Sequence, residues 1–245
     1  MIPKTIHYCW FGRKPLPKLA LNCIASWKKF LPDYEIKEWN EDNFDVNQIP
    51  YTAEAYKCKK YAFVSDYARF KIMYEYGGIY FDTDVEIIKK LDDIIARGPF
   101  FGIEASQNDC YCAPGLGFAC TPKFDLCKEL IKQYECSKFI LQNGQLNLKT
   151  VVVRTSELLS KKGFRPNTKI SDFDGAFFYP PEYFCPIDFH TGEKKITSNT
   201  RTIHHYAASW VNKYDNMPLF AKLWKMLHLP NTDIRKNLSR LFKKK

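Results

Sequence analysis

Apolar residues recur along the chain either in short runs or at helical spacing, and turns rich in Asn, Asp, Gly and Pro separate these segments. Short apolar runs predict strands, whereas apolar residues three or four positions apart over a longer stretch predict helices. Strands that alternate with helices indicate an α/β fold with a mostly parallel central sheet flanked by helices. On this basis we predict strands at 2–8, 34–39, 77–84, 99–104, 118–120, 176–179 and 202–206, and helices at 17–30, 54–60, 62–76, 123–133 and 151–161.

The helix predicted at 62–76 has one apolar face and carries a charged pair beside it. It contains no proline or glycine, and the pair Gly77-Gly78 then ends it and permits a tight turn into the next strand. Asp66 and Arg69 are three residues apart, so they are neighbours on one helix face. Taken alone they indicate a local ion pair, but they can also be directed at the same site as the carboxylates that follow.

Those carboxylates are Asp82 and Asp84, which end the apolar strand begun by the glycine pair. In an extended strand, residues two positions apart point to the same face, which predicts that the two side chains lie roughly 7 Å apart on one face. Two hard oxygen ligands suit Mg²⁺ or Mn²⁺ and suit Zn²⁺ poorly. A metal ion at such a place is most useful beside a diphosphate leaving group, whose charge it neutralises.

The length and composition of the chain predict one large domain and a C-terminal appendage. We place the domain at 1–215 and a helical appendage at 216–245, because no linker-like stretch divides the first segment. No apolar run is long enough to span a membrane, and the N-terminus lacks the apolar core of a signal peptide. The nine cysteines form no C-x-x-C pair, which favours reduced thiols in the cytosol.

The net charge of +10 is concentrated near the C-terminus. Eight lysine and arginine residues against one aspartate give the segment 222–245 a charge of +7, so a basic nucleic-acid-binding core is excluded. Apolar residues in the last turns recur at positions 234, 238, 241 and 242, which predicts an amphipathic helix. It either packs on the domain as a solvated terminal helix or, as we favour, binds an anionic membrane surface.

The motif S-D-x-x-R at 65–69, followed by the glycine pair and Y-x-D-x-D at 80–84, resembles the DXD region of glycosyltransferase family 32. This family includes bacterial capsular-polysaccharide transferases and fungal outer-chain mannosyltransferases. The start of the chain, IPKTIHYCWFG at 2–12, is similar to the family's first strand and nucleotide loop, and TIHHYAASW at 202–210 is similar to its closing motif. The resemblance therefore covers most of residues 1–210.

The resemblance implies a GT-A-like nucleotide-binding fold and a retaining glycosyltransferase that depends on Mn²⁺ or Mg²⁺. The donor would be a nucleotide-sugar, with UDP favoured over GDP, and the acceptor a saccharide that is lipid-linked. It implies a bacterial enzyme of capsule, exopolysaccharide or lipopolysaccharide synthesis. We expect it to be cytoplasmic and peripherally bound to the inner face of the cell membrane through its C-terminal helix.

The resemblance also implies roles for individual residues. Trp10 would stack on the nucleobase, Tyr80 would line the donor pocket, and Ser209 with Trp210 would close over the diphosphate. Strand alternation lets only one of two adjacent histidines face the site, and the family's H-Y pattern selects His205 rather than His204. The implied catalytic residues are Asp66, Arg69, Asp82 and Asp84; the implied donor-binding residues are Trp10, Asp66, Arg69, Tyr80, Asp82, Ser209 and Trp210; the implied metal ligands are Asp82, Asp84 and His205. Glu104 is a candidate for the acceptor side.

Three alternatives remain open at the level of sequence. The run IYFDTDVE also matches the strand motif of haloacid-dehalogenase-type phosphohydrolases, in which Asp82 would be the nucleophile. That family places this motif close to the N-terminus, whereas here it follows a long helix. A host-modifying glycosyltransferase effector is the second alternative. A non-catalytic binding module is the third, and it is disfavoured because every expected metal- and phosphate-binding group is present.

Overall fold

A mixed sheet forms the centre of the part of the chain that the computed structural model describes, which comprises residues 1–106, 109–188 and 192–207. A single-turn 3₁₀ helix spans Pro114–Leu116. The strands are β1 (Thr5–Cys9), β2 (Glu35–Trp39), β3 (Gly78–Tyr80), β4 (Val85–Ile87), β5 (Phe100–Ser106), β6 (Asp109–Cys112), β7 (Phe118–Cys120), β8 (Ser171–Phe173), β9 (Ala176–Tyr179) and β10 (Thr202–His204). The α-helices are α1 (Lys18–Phe30), α2 (Pro50–Lys57), α3 (Tyr61–Tyr76), α4 (Asp92–Ala96), α5 (Asp125–Glu135), α6 (Val151–Lys161) and α7 (Pro181–Phe184).

The main sheet has the strand order β2-β1-β3-β7-β5-β9-β8, with β6 paired to β5. Strands β2, β1, β3, β5 and β9 run in one direction, and β7 runs against its neighbours β3 and β5. The predicted α/β fold with a mostly parallel sheet and flanking helices is therefore confirmed. The sequence pattern missed β4, β6 and β8, because each has only three or four residues and none shows a clear apolar alternation.

Helix α3 packs against β1, β3 and β7, and the glycine pair after it fixes how the chain enters β3. Gly77 has φ = 64° and Gly78 has φ = 104°, which is the region that favours glycine. A Cβ atom on Gly78 would also lie 2.5 Å from the carbonyl oxygen of Thr5. The pair therefore ends the helix as predicted and lets β3 lie close to β1.

His7, in the middle of β1, is a structural residue. Its Nδ1 accepts a hydrogen bond from Trp39 Nε1 at 3.0 Å, which leaves Nε2 to donate to the carbonyl oxygen of Gly77, also at 3.0 Å. Burial lowers the pKa of His7 to about 4, so the imidazole is neutral at physiological pH. This histidine ties the first two strands to the end of α3.

A small second sheet follows the DXD motif. It consists of β4 and β10, which pair antiparallel with Thr202 opposite Ile87 and His204 opposite Val85. Helix α1 holds it in place, because the buried Trp27 donates from Nε1 to the carbonyl oxygen of Val85 at 2.7 Å. This arrangement brings the end of the described chain to the turn that carries Asp84.

All nine cysteines are free thiols in the structure. Within the described ranges, no helix is both long enough and apolar enough to cross a membrane. The predicted domain boundary at 215/216 and the predicted C-terminal helix lie outside the described residues, so they remain predictions.

Candidate active site

Two side chains identified from the sequence, those of Trp10 and Asp82, lie where neighbouring parallel strands end, and Glu41 joins them there. Trp10 directly follows β1, Glu41 lies shortly after β2, and Asp82 follows β3. The carboxyl ends of parallel strands form one edge of a sheet, and ligands of open α/β sheets bind beyond this edge. This edge is therefore the candidate active site.

The two aspartates of the DXD motif do not continue the strand, so the prediction that they share a strand face is wrong. Strand β3 ends at Tyr80, which is the last residue paired with β7. The chain then turns, and the amide of Val85 donates to the carbonyl oxygen of Asp82 at 3.1 Å. Because of this turn, Asp82 and Asp84 contact different sets of groups.

Asp82 is held by groups from α3, β3 and the 3₁₀ turn. Its Oδ1 accepts a hydrogen bond from Tyr80 Oη at 3.1 Å and forms an ion pair with Arg69 Nη2 at 3.3 Å. Its amide donates to the carbonyl oxygen of Gly115 at 3.0 Å. The side chain of Asp82 is 31% exposed, so it is the part of this cluster that solvent and a ligand can reach.

Asp66 and Arg69 form a buried ion pair behind Asp82, with Nη2 of the arginine 3.1 Å from Oδ1 of Asp66. Oδ2 of Asp66 accepts from the amide of Val151 at 3.3 Å. Burial raises the pKa of Asp66 to about 6, and this effect outweighs the opposing charge of Arg69. Burial lowers the pKa of Arg69, but Asp82, Tyr80 and Asp66 together hold it above its ordinary value.

The ion pair answers the question that the sequence left open. Both side chains are enclosed, Asp66 at 6% and Arg69 at 3% exposure, and the contacts that the structure shows for them are with the protein. Among these contacts, only Arg69 reaches Asp82 directly. In this structure the pair therefore positions Asp82, while its predicted contact with the donor remains a prediction.

Gly115 is a functional position that the sequence reasoning missed. A Cβ atom on it would lie 2.1 Å from Oδ2 of Asp82 and 3.4 Å from Nη1 of Arg69. This Nη1 is buried and has no hydrogen-bond partner among the described residues. Only a residue without a side chain fits between these two groups. The sequence gives no signal for it, because the glycine lies more than thirty positions away from the motif that it touches.

Asp84 is held by the segment that follows β10. Its Oδ1 lies 3.3 Å from Nε2 of His204, its Oδ2 accepts from the amide of Ala207 at 2.8 Å, and its carbonyl oxygen accepts from the amide of His205 at 3.0 Å. Burial raises the pKa of Asp84, but the charge and hydrogen bond of His204 and the amide of Ala207 lower it to about 2. Burial lowers the pKa of His204, and Asp84 raises it well above its usual value.

The structure places His204 rather than His205 beside Asp84, while the role of His205 as a metal ligand remains a prediction. The side chain of His205 points elsewhere, with its Nε2 2.8 Å from Oε2 of Glu86. The prediction assumed a strand that continues to residue 206, whereas β10 ends at His204 and Tyr206 adopts φ = 48°. Adjacent residues of a strand do face opposite sides, as the prediction assumed. Because β10 ends at His204, however, it is His204 that faces Asp84.

Trp10 occupies a loop that is anchored to the elements around it. The indole is partly buried, and its Nε1 donates to the carbonyl oxygen of Lys14 at 2.6 Å. Oε1 of Glu41 accepts from the amide of Gly12 at 2.6 Å and from Tyr56 Oη at 2.8 Å. The ring packs in part against the hydrophobic core, and its stacking on the nucleobase remains a prediction. The other two predicted donor contacts, Ser209 and Trp210, lie outside the described residues.

Glu104 is a second buried carboxylate near this edge, located near the end of β5. It is 8% exposed, and burial raises its pKa to about 7, against the opposing charge of His204. The described part of the chain supplies no hydrogen-bond donor to its carboxylate. This environment differs from that of both DXD aspartates.

The side chains present suit a hard divalent cation that a substrate phosphate helps to bind. Mg²⁺ and Mn²⁺ are often held by one or two carboxylates together with phosphate oxygens, and Asp82 and Asp84 supply such oxygens. No group of three His, Cys, Asp or Glu residues that could hold a metal occurs within the described ranges. The Nε2 of His204 is directed at Asp84 and that of His205 at Glu86, and His205 as a metal ligand remains a prediction.

Solved structures with a similar fold include glycosyltransferases. The PaToxG glycosyltransferase aligns with a TM-score of 0.49 and 20% identity, covering 65% of this chain and 70% of that one. The galactosyltransferase LgtC, solved with donor and acceptor sugar analogues, aligns with a TM-score of 0.41 and 12% identity, covering 95% of this chain and 99% of that one. Likenesses at these scores say nothing about the activity of this chain.

Proteins with a similar sequence include glycosyltransferases. The chain is 34% identical to an uncharacterised glycosyltransferase, L373, of Acanthamoeba polyphaga mimivirus over 41% of this chain and 43% of that protein. It is 32% identical to inositol phosphoceramide mannosyltransferase 3 of Schizosaccharomyces pombe over 38% of this chain and 27% of that protein. The matched segments thus span less than half the length of these relatives. Residues 17–101, which include Asp66, Arg69 and both DXD aspartates, match the family described as glycosyltransferase sugar-binding region containing DXD motif. Over these residues the chain is therefore similar to glycosyltransferases of the DXD type.

Proposed function

We propose that this protein is a metal-dependent glycosyltransferase that moves a sugar from a nucleotide-sugar to a saccharide hydroxyl. The observation that carries the proposal is the position of Asp82. It lies within the matched glycosyltransferase region, at the carboxyl edge of three parallel strands, and is partly exposed above a buried Asp66–Arg69 pair. This geometry suits a carboxylate that must be held rigidly where a diphosphate binds.

Each group of the chain has a role in this proposal. Trp10 stacks on the nucleobase, and Tyr80 and Arg69 fix the carboxylate of Asp82 through their contacts with its Oδ1. A divalent ion, when bound through Asp82 and Asp84, supplies positive charge to the diphosphate. The acceptor oxygen forms the new bond to the anomeric carbon while the bond to the diphosphate breaks, and the hydroxyl proton leaves with the diphosphate or to solvent. We expect retention of the anomeric configuration.

The donor is a nucleotide-sugar. From the sequence we expect a UDP-sugar first and a GDP-sugar second. Two of the similar proteins are named as mannosyltransferases, an inositol phosphoceramide mannosyltransferase and the initiation-specific α-1,6-mannosyltransferase of Candida albicans. These names make mannose a sugar to test alongside the UDP-sugars. A role in capsule, exopolysaccharide or lipopolysaccharide synthesis is part of the proposal, although these relatives are viral and fungal.

A screen of nucleotide-sugars tests the proposal. The purified full chain is incubated with UDP-glucose, UDP-galactose, UDP-N-acetylglucosamine and GDP-mannose in Mn²⁺, in Mg²⁺ or in EDTA, and release of the nucleoside diphosphate is measured. We expect release from one donor in the presence of metal and none in EDTA. Equal release in EDTA would contradict the metal dependence, and no release from any donor would contradict the transferase proposal.

The same preparation separates the proposal from the phosphohydrolase alternative. A haloacid-dehalogenase-type enzyme would hydrolyse p-nitrophenyl phosphate through Asp82, and a glycosyltransferase would not. The match of residues 17–101 to a glycosyltransferase model favours the transferase. A host-modifying effector would instead use a protein acceptor, which transfer of labelled sugar to proteins in a cell extract would reveal.

We also propose that the basic C-terminal segment attaches the enzyme to an anionic membrane, with a lipid-linked acceptor at the cytoplasmic face. The charge of +7 in residues 222–245 supports this proposal. Removal of residues 231–245 should abolish binding to phosphatidylserine vesicles at low salt and leave donor hydrolysis nearly unchanged. If the shortened chain binds the vesicles as well as the full chain does, the membrane proposal is wrong.

A further inference from the structure

Glu104 is a buried carboxylate for which the described part of the chain supplies no hydrogen-bond partner. It is 8% exposed, and the influences on it are burial and the charge of His204. Its oxygens are not among the fully enclosed side-chain atoms that lack a partner in the described ranges, so solvent or a ligand can reach them. A carboxylate that is held without a partner is suited to receive one from a ligand.

The backbone around Glu104 is well ordered within the sheet, which fixes the direction of the side chain. Strand β5 pairs with β9 as far as Gly102, and from Ile103 onward it pairs with β6, where Glu104 lies opposite Tyr111. Strand alternation puts Gly102 and Glu104 on the same face. A Cβ atom on Gly102 would lie 3.3 Å from the Cβ of Phe184 in α7, so α7 covers this face.

The same phenylalanine connects this face to β10. Thr202 Oγ1 donates to the carbonyl oxygen of Phe184 at 3.0 Å, and His204 lies two residues further along β10 on the same face as Thr202. His204 acts on Glu104 through its charge and contacts Oδ1 of Asp84 at 3.3 Å through its Nε2. His204 therefore links the two carboxylates, through its charge to Glu104 and through a direct contact to the DXD aspartate.

From this arrangement, and resting on the proposed function, we infer that Glu104 binds the acceptor. Its carboxylate accepts a hydrogen bond from a hydroxyl group of the acceptor saccharide and so orients that saccharide beside the donor site. Hydrogen bonds to a charged, buried acceptor are among the stronger ones in proteins, and a site built to bind a hydroxyl discriminates strongly against its loss. The donor then binds on the opposite side of the site, around Asp82 and Trp10.

The experiment compares transfer to a saccharide with transfer to water. Glu104→Gln and Glu104→Ala are tested with the nucleotide-sugar that the wild type hydrolyses, with and without methyl α-mannoside, methyl α-glucoside or methyl β-galactoside as the acceptor. Glu157→Gln is the matched control, since it also removes one carboxylate, but from an exposed ion pair with Lys149. The melting temperature of each variant is recorded.

We expect both Glu104 variants to hydrolyse the donor at the wild-type rate and with the wild-type KM for the donor. Their ratio of glycoside transfer to hydrolysis should fall by about tenfold or more, which is the factor that loss of a charged hydrogen bond implies. Glu157→Gln should keep the wild-type ratio.

Three results would overturn the inference: an unchanged ratio in both Glu104 variants, a parallel loss of hydrolysis and transfer, or a wild type that hydrolyses the donor but responds to no glycoside. A wild type that hydrolyses no nucleotide-sugar would instead overturn the proposed function, so the two failures are distinguishable.

Discussion

Asp82 and Asp84 are separated by a single residue, but the side chains and amides that hold their carboxylates lie at very different distances along the chain. Asp82 is bound by Arg69 and Tyr80, which lie just before it in α3 and β3. Asp84 is bound by the side chain of His204 and by the amide of Ala207, 123 positions further along. The first carboxylate is 31% exposed and the second 16%.

The difference shows that the two aspartates of a DXD motif can have different structural roles. The Asp82 region is a rigid support of local contacts, with a buried ion pair behind one carboxylate. The Asp84 region is a long-range junction, in which a carboxylate joins the DXD turn to the last described strand. Loss of the contacts of Asp82 should therefore change only the candidate active site. Loss of the Asp84 side chain should also detach β10 and the segment after it from the DXD turn.

The largest expected effect is that of Asp84→Ala on activity. The substitution removes a proposed metal ligand and the side-chain contacts to His204 in β10 and to Ala207 after it, so transfer and donor hydrolysis should fall by about 1,000-fold. Donor hydrolysis in Mn²⁺ measures this, with circular dichroism to confirm that the variant folds. Substantial Mn²⁺-dependent activity in a folded Asp84→Ala protein would show that the second aspartate is only structural.

Arg69→Met tests the buried ion pair behind Asp82. It leaves Asp66 buried at 6% exposure without its cation, which should lower the free energy of unfolding by about 3–4 kcal/mol. Urea denaturation measures the loss. The double variant Asp66→Leu/Arg69→Met is the control and should regain much of the stability, because it removes the uncompensated carboxylate. If the double variant is no more stable than Arg69→Met, the buried pair is not the cause.

Substitutions of His204 and His205 test the long-range contacts between β10 and the DXD turn. His204→Gln should lower the free energy of unfolding by about 2 kcal/mol near pH 6, because it removes the partner that holds the pKa of Asp84 at about 2. His205→Gln breaks a more exposed contact with Glu86 and should cost less than about 1 kcal/mol. Thermal unfolding of both variants measures the order, and a larger effect for His205 would mean that the register of β10 is wrong by one residue.

The stability that His204 contributes should depend on pH in one direction. The folded-state pKa of His204 is raised, so its contribution to stability is complete below the ordinary pKa of histidine and is lost as the pH rises through the raised value. The stability gap between wild type and His204→Gln should therefore narrow at alkaline pH. A gap that widens as the pH rises would contradict the charged His204–Asp84 pair.

The smallest effect expected is that of Gly115→Ala. The new methyl group would meet Oδ2 of Asp82 at 2.1 Å, so the carboxylate must move, and activity should fall by about tenfold with a stability loss of about 1 kcal/mol. Gly144→Ala is the control, since that glycine has no neighbouring atom within 4 Å and should affect activity little. Unchanged activity in Gly115→Ala would show that Asp82 tolerates displacement.

The sequence predicted well what local periodicity determines. Helix α3 and its glycine stop follow from an uninterrupted apolar pattern and from backbone angles that glycine adopts easily. The Asp66–Arg69 pair and its proximity to Asp82 follow from helical spacing and from the short connection through β3. In each case the residues concerned lie close together in the chain.

What the sequence missed depends on contacts between distant segments. Strand β3 stops at Tyr80 because its neighbour β7 supplies no further partner, and nothing in the motif itself reveals this stop. The choice of His204 over His205 depends on the end of β10, which pairing with β4 determines. Gly115 is required only because the 3₁₀ turn passes against Asp82.

The pairing of β10 with β4 has a consequence for the synthesis of the protein. The contacts around Asp82 from α3 and β3 can form as soon as the first part of the chain has left the ribosome. The contacts of Asp84 must wait until residues 204–207 have been made, because they close a loop of 123 positions. Forming such distant contacts is slow compared with forming helices. A partly synthesised chain would thus hold one aspartate of the motif in place and not the other until β10 has paired with β4.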